Sequence, residues 1–370
     1  MRGSEPGSVS TPLVRLIGRA IERAGGWLPF DRFMALALYA PGLGYYGRGS
    51  RQFGAMPSSG SDFVTAPELS PLFGRALAVQ VAQALAACDG GEVWEFGAGS
   101  GALAEQLIDA LGDAVQRYSI VDVSGSLRAL QRERLARFDD RVRWLDELPD
   151  RFDGVIVGNE VLDAMPVQLL HFDGRQWFER GVVQGPGTGF AWGDRPTALR
   201  PPVEANFVAG TTIELHRQAE AFIATIDDRL GRGAAFFIDY GFPVAEYYLP
   251  ERTGGTLMCH RAHRVDTDPL AEVGDKDITA HVDFTGIALA AQDGGLEVIG
   301  YTSQARFLIN CGIVGWLDGA GPRTIAPVQK LIAEHEMGEL FKVIAMAKGC
   351  GDDFMCNPVG FEDGDRSHGL

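Results

Sequence analysis

The chain has 370 residues, which allows two to three domain-sized units or one large α/β domain with insertions. Hydrophobic residues at 46% and charged residues at 22% are a globular composition and exclude a disordered chain. The formal charge of −16 repels phosphate backbones and argues against nucleic-acid binding; the longest apolar run, Phe33 to Ala40, is far short of the ~20 residues that a bilayer span needs, so no membrane insertion is expected.

The first ten residues are rich in Ser, Gly and Pro and are expected to be disordered. Residues 1–51 carry seven Arg against Glu5, Glu22 and Asp31, a net +4 that leaves −20 for the rest. This basic start reads as a domain helix rather than a transit peptide, because Leu13, Ile17, Ala20 and Ile21 recur at helical spacing. Residues 11–90 read as a helical region, broken by Pro41-Gly42-Leu43-Gly44 and by a loop over 47–61, with a helix over 72–87.

From residue 91 the pattern changes to strands alternating with helices. Strands are predicted at 92–96, 118–123, 141–145, 152–158 and 234–240, and helices at 102–111, 126–138 and 214–230. Residues 165–210 hold a predicted hairpin (167–172 and 176–183) and a Gly/Pro-rich run. After an insertion at 241–285, strands at 296–301 and 341–347 flank helices near 305–317 and 327–334. Alternation of this kind implies a parallel sheet covered by helices on both faces, the doubly wound α/β architecture, closed by two late strands. An acidic tail, 351–370, is expected to be disordered. The five cysteines (Cys88, Cys259, Cys311, Cys350 and Cys356) lack metal-type spacing, so they read as reduced thiols of a cytoplasmic protein, and no metal site is expected.

The strongest chemical signal is Val93-Trp94-Glu95-Phe96-Gly97-Ala98-Gly99-Ser100-Gly101-Ala102-Leu103, a strand running through glycines into a helix. Such glycines let the backbone turn tightly and let a ligand approach it closely. Gly97, Gly99 and Ala102 satisfy the dinucleotide pattern, and Asp122 follows Ala102 at the spacing of a ribose-binding acid, so a nicotinamide oxidoreductase is one reading. Glu95 and the third glycine, Gly101, favour S-adenosylmethionine (SAM): a carboxylate before the loop receives the cationic amino-acid end of SAM but repels a pyrophosphate. Asp122 is then a ribose acceptor and Asp146 a candidate partner of the adenine. Against the oxidoreductase, no Tyr-x-x-x-Lys arrangement for hydride chemistry is visible.

The fourth strand ends in Val157-Gly158-Asn159-Glu160-Val161-Leu162-Asp163-Ala164-Met165-Pro166. Ligands of open parallel sheets sit beyond the carboxyl ends of the strands, which places Asn159 and Glu160 at the methyl-donor site with Asp163 in the following turn. Asp239-Tyr240-Gly241 ends the fifth strand and offers a further carboxylate to the same cleft.

With these blocks the chain resembles the MidA-type methyltransferases over about residues 13–350. The resemblance is carried by Gly44-Tyr45-Tyr46; by Ser61-Asp62-Phe63-Val64-Thr65-Ala66-Pro67-Glu68 with Phe73-Gly74; by the glycine loop and the strand-end blocks above; by Gly255-Thr256-Leu257; and by Asp277-Ile278-Thr279-Ala280-His281-Val282-Asp283-Phe284. Ser100 stands where the family often carries Arg, Asp122 where Glu is usual, and Ser61 where Gly commonly precedes the Asp-Phe pair. The resemblance implies a seven-stranded class I methyltransferase sheet over 91–350 and SAM as cofactor, with S-adenosylhomocysteine as product. It also implies symmetric arginine dimethylation of a protein substrate, since the mitochondrial members are protein-arginine methyltransferases needed for assembly of respiratory complex I, which makes a respiratory-complex subunit a candidate substrate; a homodimer is a further expectation.

Asp62, Thr65 and Glu68 are then candidate cofactor contacts from a lid, although Thr65 to Glu68 also approximates a helix capping box. Tyr45, Tyr46, His281 and Asp283 are candidate substrate contacts. Glu160, with Asp163 and Asp239, is the candidate grip on a guanidinium, holding it by paired hydrogen bonds and taking its proton as the methyl group arrives. The third reading is a silent assembly factor that keeps the fold only to bind a partner.

Overall fold

A computed structural model describes residues 10–48, 65–122, 125–138, 140–187, 189–261 and 264–370. The first nine residues and Asp62 lie outside the described residues. The centre is a mostly parallel sheet of β1 (Glu92–Phe96), β2 (Arg117–Val121), β3 (Val142–Leu145), β4 (Phe152–Asn159), β5 (Leu230–Phe242), β6 (Glu297–Ser303) and β7 (Phe341–Lys348), in the order β6-β7-β5-β4-β1-β2-β3. β7 runs antiparallel to both β5 and β6. An eighth strand of two residues, Val282–Asp283, pairs parallel with the end of β5.

Period-two alternation sends successive side chains of each strand to opposite faces. Phe236 and Ile238 of β5 therefore face one core, while Ala235 and Phe237 face the other; all four are buried. The first face packs against α1 (Pro71–Ala87), α2 (Ala102–Leu111) and α3 (Pro322–Ile332), and the second against α4 (Arg217–Arg229) and α5 (Phe284–Gly294). Residue 214, expected in a helix, lies in the strand Thr212–Leu215 instead, and the helix begins at Arg217.

The N-terminal helical region does not stay together. Pro71–Ala87 joins the central core, whereas Ser10–Arg23 and Phe30–Tyr39 pack on a separate antiparallel sheet. That sheet pairs Trp177–Gln184 with Leu28–Pro29, Gln168–Phe172 and Phe190–Pro196, and Gln168–Phe172 with Thr212–Leu215. The apolar stripe of the first helix (Leu13, Ile17, Ile21) is buried with Leu169, Val182, Ile278 and Ala280, so an N-terminal segment and two later insertions share one core.

The acidic tail is folded, contrary to expectation. Phe354 and Phe361 are buried, the Phe361 and Phe307 ring centroids lie 5.5 Å apart, and Gln80 and Gln83 accept the amides of Gly360 and Val359 at 2.7 and 2.9 Å. Two phenylalanines and four satisfied polar atoms outweigh the charge repulsion that composition alone emphasises. Phe361→Ala is expected to destabilise the protein by about 3 kcal/mol or more, the scale of a buried Phe truncation, measured by chemical denaturation.

Candidate active site

Strand register builds the site. Phe96 pairs with Val121 on one side and with Gly158 on the other, so the glycine loop, Asp122 and Asn159 leave the sheet at one level. β1 and β4 are where the chain order reverses, the place at which open α/β sheets hold ligands. A cavity of about 1140 Å³ opens there.

Gly97, Gly99 and Gly101 all have positive φ (62°, 53° and 82°), a region costly for side chains with a Cβ. A Cβ on Gly97 would meet Val161 Cγ2 at 3.1 Å. Gly97 and Gly99 line the cavity; Gly101 does not, and instead serves as the left-handed N-cap of α2, against Gln131. Glu95 is 2% exposed and lines the cavity, and its Oε2 accepts the Tyr118 hydroxyl at 2.8 Å. Burial pushes its carboxyl up to about 8, with Asp122 adding to the rise.

Asp122 is buried and lines the cavity, with Oδ2 accepting from Gln131 Nε2 at 2.9 Å. Gln131 also donates to Gly99 O at 3.0 Å, and its Oε1 accepts from Trp144 at 3.0 Å, so one buried amide fixes loop, acid and third strand together. Sequence reasoning missed Gln131; its nine-residue spacing from Asp122, across a strand end and a helix, carries no local signal. Asp146 lines the cavity rim but is 88% exposed and pairs with Arg128 at 2.7 Å. Arg128 also donates to the carbonyls of Asp122 and Leu145, which ties two strand ends together.

Thr65 and Pro67 wall the cavity beside the loop. Thr65 makes no side-chain cap bond to the helix Ala66–Leu69 that follows it, so the capping-box reading does not hold. Glu68 does not line the cavity. Its carboxylate accepts the Ser100 hydroxyl and pairs with Arg134 at 2.8 Å, clamping the loop from behind. Arg134 thus brings a guanidinium to Ser100, the position at which the resemblance leads one to expect Arg.

At the other end of the cavity lie Asn159, Glu160, Asp163, Asp277, Tyr39, Tyr46, Tyr240 and His281. Glu160 is held at φ 56°, rare for a residue with a Cβ, and its amide donates to Ile238 O at 2.9 Å. Its Oε1 accepts from Asn159 Nδ2 at 3.0 Å, and the Ala66 amide also bonds its carboxylate. Burial, with the nearby Asp163 charge, pushes Glu160 up to about 8, and burial pushes Asp163 up to about 6. Tyr240 donates its hydroxyl to Asp163 Oδ2. Asp163 Oδ1, Asn159 Oδ1 and His281 Nδ1 are buried with no hydrogen-bond partner among the described residues, an unusual concentration of unsatisfied acceptors.

Asp239 does not face the cavity. Its Oδ2 accepts the amides of Val161, Leu162 and Asp163 at 3.1, 2.9 and 3.2 Å, and its Oδ1 accepts that of Tyr240 at 2.9 Å. It shapes the turn that presents Glu160 and Asp163 and is not placed to touch a ligand.

Of the four candidate substrate residues, Tyr46 and His281 line the cavity. Tyr46 stacks on Tyr39 at 5.6 Å and donates to Asp277 Oδ2 at 2.9 Å; neither Tyr39 nor Asp277 was singled out from the sequence. The His281 ring lies flat on Phe242, and burial pushes its pKa down to about 4, leaving a neutral imidazole at pH 7. Tyr45 is 2% exposed within the N-terminal core, and Asp283 is the N-cap of α5, accepting from Gly286 N at 3.2 Å. Neither lines the cavity. The Gly255-Thr256-Leu257 block is explained by Glu214: its buried carboxylate accepts the Thr256 amide at 2.8 Å, and Thr256 Oγ1 in turn accepts the His281 amide at 3.1 Å.

The site therefore fits a ligand with a cationic amino-acid group near Glu95 and hydroxyls near Asp122. Comparison with known proteins identifies that ligand. Residues 76–302 match the model of a family of S-adenosyl-L-methionine-dependent methyltransferases, and the chain belongs to this family. A Burkholderia thailandensis crystal structure bound to S-adenosyl-homocysteine is 48% identical, with each chain covered over 100% of its length and a TM-score of 0.94. The relative from Caenorhabditis elegans, named "Protein arginine methyltransferase NDUFAF7 homolog, mitochondrial", is 26% identical over 79% of this chain and 74% of its own. The protein arginine methyltransferase NDUFAF7 of Danio rerio is also 26% identical, over 87% and 84%. The cofactor is S-adenosyl-L-methionine, which disposes of the nicotinamide reading, and the protein is a SAM-dependent methyltransferase. The mitochondrial names of these relatives overturn the cytoplasmic expectation, because reduced thiols report a reducing compartment without saying which one.

Asp122→Ala is expected to weaken S-adenosylhomocysteine binding about tenfold to a hundredfold in calorimetry, the loss of hydrogen bonds to a charged acceptor. Gly99→Val is expected to abolish binding while the far-ultraviolet circular dichroism stays native. Glu95 sets a pH signature for the ligand-free protein. Its folded pKa of about 8 exceeds the ordinary 4.5, so the native state holds the extra proton between those values. The stabilising contribution is therefore complete below about pH 4.5 and is lost as pH rises to about 8. Denaturation midpoints at pH 6 and pH 9 should differ less in Glu95→Gln than in the natural protein.

Proposed function

We propose that this methyltransferase N-methylates an arginine side chain of a protein substrate. The reading rests on the acceptor end of the cavity, where Glu160 and Asp163 gather and no lysine lines the cavity among the described residues. The one arginine lining the cavity among those residues, Arg229, donates to Leu148 O at 2.7 Å, on the side of Asp146. A guanidinium brings five N–H donors and a fixed positive charge, which matches unsatisfied acceptors better than a neutral nucleophile does. The names of the 26% identical relatives support the same class of substrate.

When bound, SAM supplies a sulfonium-activated methyl group. Glu95, Asp122 and the glycine loop bind and orient the cofactor; Thr65 and Pro67 help to exclude water. Glu160 holds the guanidinium, directs one nitrogen and receives its proton as the new bond forms. Asp163, steadied by Tyr240, provides the second carboxylate. Asp239 acts through the backbone by holding the 160–163 turn.

Incubation with labelled SAM and arginine-containing peptides, followed by mass spectrometry, should place label on guanidino nitrogens. Label on lysine, or none at saturating cofactor, would sink the proposal. Glu160→Gln should leave S-adenosylhomocysteine affinity nearly intact and lower turnover at least about a hundredfold, with Asp163→Asn acting in the same direction more weakly. Because these carboxyls titrate at about 8 and about 6 and grip a cation only when ionised, kcat/KM should rise with pH across that interval. Glu160→Gln should flatten its upper part.

A further inference from the structure

We propose that Cys88 and Cys350 are a reversible thiol–disulfide pair that fastens the C-terminal segment to the back of the core. Cys88 caps the C-terminus of Pro71–Ala87, and Cys350 lies two residues beyond β7. Although 262 positions apart, their Sγ atoms are 2.8 Å from one another, inside ordinary non-bonded sulfur contact. A disulfide of about 2.05 Å is reached by a shift of about 0.8 Å, within the reach of side-chain rotation.

Arg232 holds the two chain segments in place. Its Nη2 donates to Ala87 O at 3.3 Å and to Asp89 at 3.0 Å, on either side of Cys88, and its Nε donates to Gly349 O at 3.0 Å, next to Cys350. Cys350 is half-buried and Cys88 is 4% exposed, so an oxidant meets Cys350 first. The contact with Cys88 lowers the Cys350 pKa, with help from Arg232, and raises that of Cys88. Of the two thiols, Cys350 is therefore the one that ionises more readily, and the thiolate is the reactive form.

The oxidant is a peroxide. The Cys350 thiolate attacks one peroxide oxygen, the O–O bond breaks, hydroxide leaves and Cys350 becomes a sulfenic acid. Cys88 then attacks that sulfur. The S–S bond forms, the S–O bond breaks, and the departing hydroxide takes the Cys88 proton as water. Two thiols lose two electrons and the peroxide gains them; a dithiol reductant reverses the step. Cys350 Sγ lies 3.4 Å from Gly233 O at the start of β5, whereas the cofactor crevice lies at the other end of the sheet, so the cross-link leaves cofactor binding intact.

The test is stoichiometric hydrogen peroxide on the reduced full-length protein, read by peptide mapping without reductant. A Cys88–Cys350 linked peptide is expected, with two thiols fewer in an Ellman titration and full reversal by dithiothreitol. The oxidised form should melt about 3 °C or more above the reduced form. Cys350→Ser should show none of these changes while binding S-adenosylhomocysteine as the natural protein does, and Cys88→Ser should accumulate a Cys350 sulfenic acid that dimedone traps. Oxidation confined to exposed Cys356, with Cys88 and Cys350 recovered as unlinked thiols, would overturn the proposal.

Discussion

Carboxylates gathered in one cleft are the constraint around which this molecule is organised. An isolated buried carboxylate is costly, and a folded protein bears that cost by raising the pKa or by surrounding the group with donors. Both responses occur here. Burial shifts Glu95, Glu160 and Asp239 upward alike, but Glu95 and Glu160 line the cavity, while Asp239 is wrapped in four backbone amides. The first kind remains available to a cation; the second is committed to the chain itself. That division separates the ligand-facing acids from the acid that shapes their turn.

Much of this was legible in the sequence because it is local. A strand, glycines at alternating positions and a helix can be read in order, and the acid before the loop follows from strand-end position. Asp122 and Asn159 follow from the same rule, since parallel register brings successive strand ends to one level. The rule fails where two similar groups differ only in the direction they face. Asp163 and Asp239 are both strand-end or turn carboxylates, yet one lines the cavity and the other turns into the backbone. Tyr45 and Tyr46 are neighbours with opposite fates for the same reason. Gln131 and Tyr39 were invisible because their partners lie across elements. The folded tail was misjudged because composition registers charge density but not whether two phenylalanines find a surface.

A helix packed on the accessory antiparallel sheet and the insertion after β5 give the acceptor end its walls. Phe30–Tyr39 contributes Tyr39, and the insertion after β5 contributes His281 and Asp277. Glu214 connects the two parts through Thr256, so the position of His281 depends on a carboxylate in a different sheet. The glycine loop, Asp122, Glu160 and Asp163 thus come from the central sheet, and Tyr39, Asp277 and His281 from segments added around it.

The shared core of the N-terminal helices carries a consequence for biosynthesis. Leu13 and Ile17 are buried against Ile278 and Ala280, partners that the ribosome adds more than 250 residues later. At roughly 5–20 residues per second, the apolar stripe of the first helix waits on the order of ten seconds or more for its cover. During that interval the emerging chain carries a basic amphipathic helix whose docking surface is incomplete, a natural client for a holding chaperone. The order of synthesis is therefore the reverse of the order in which this part of the molecule can close.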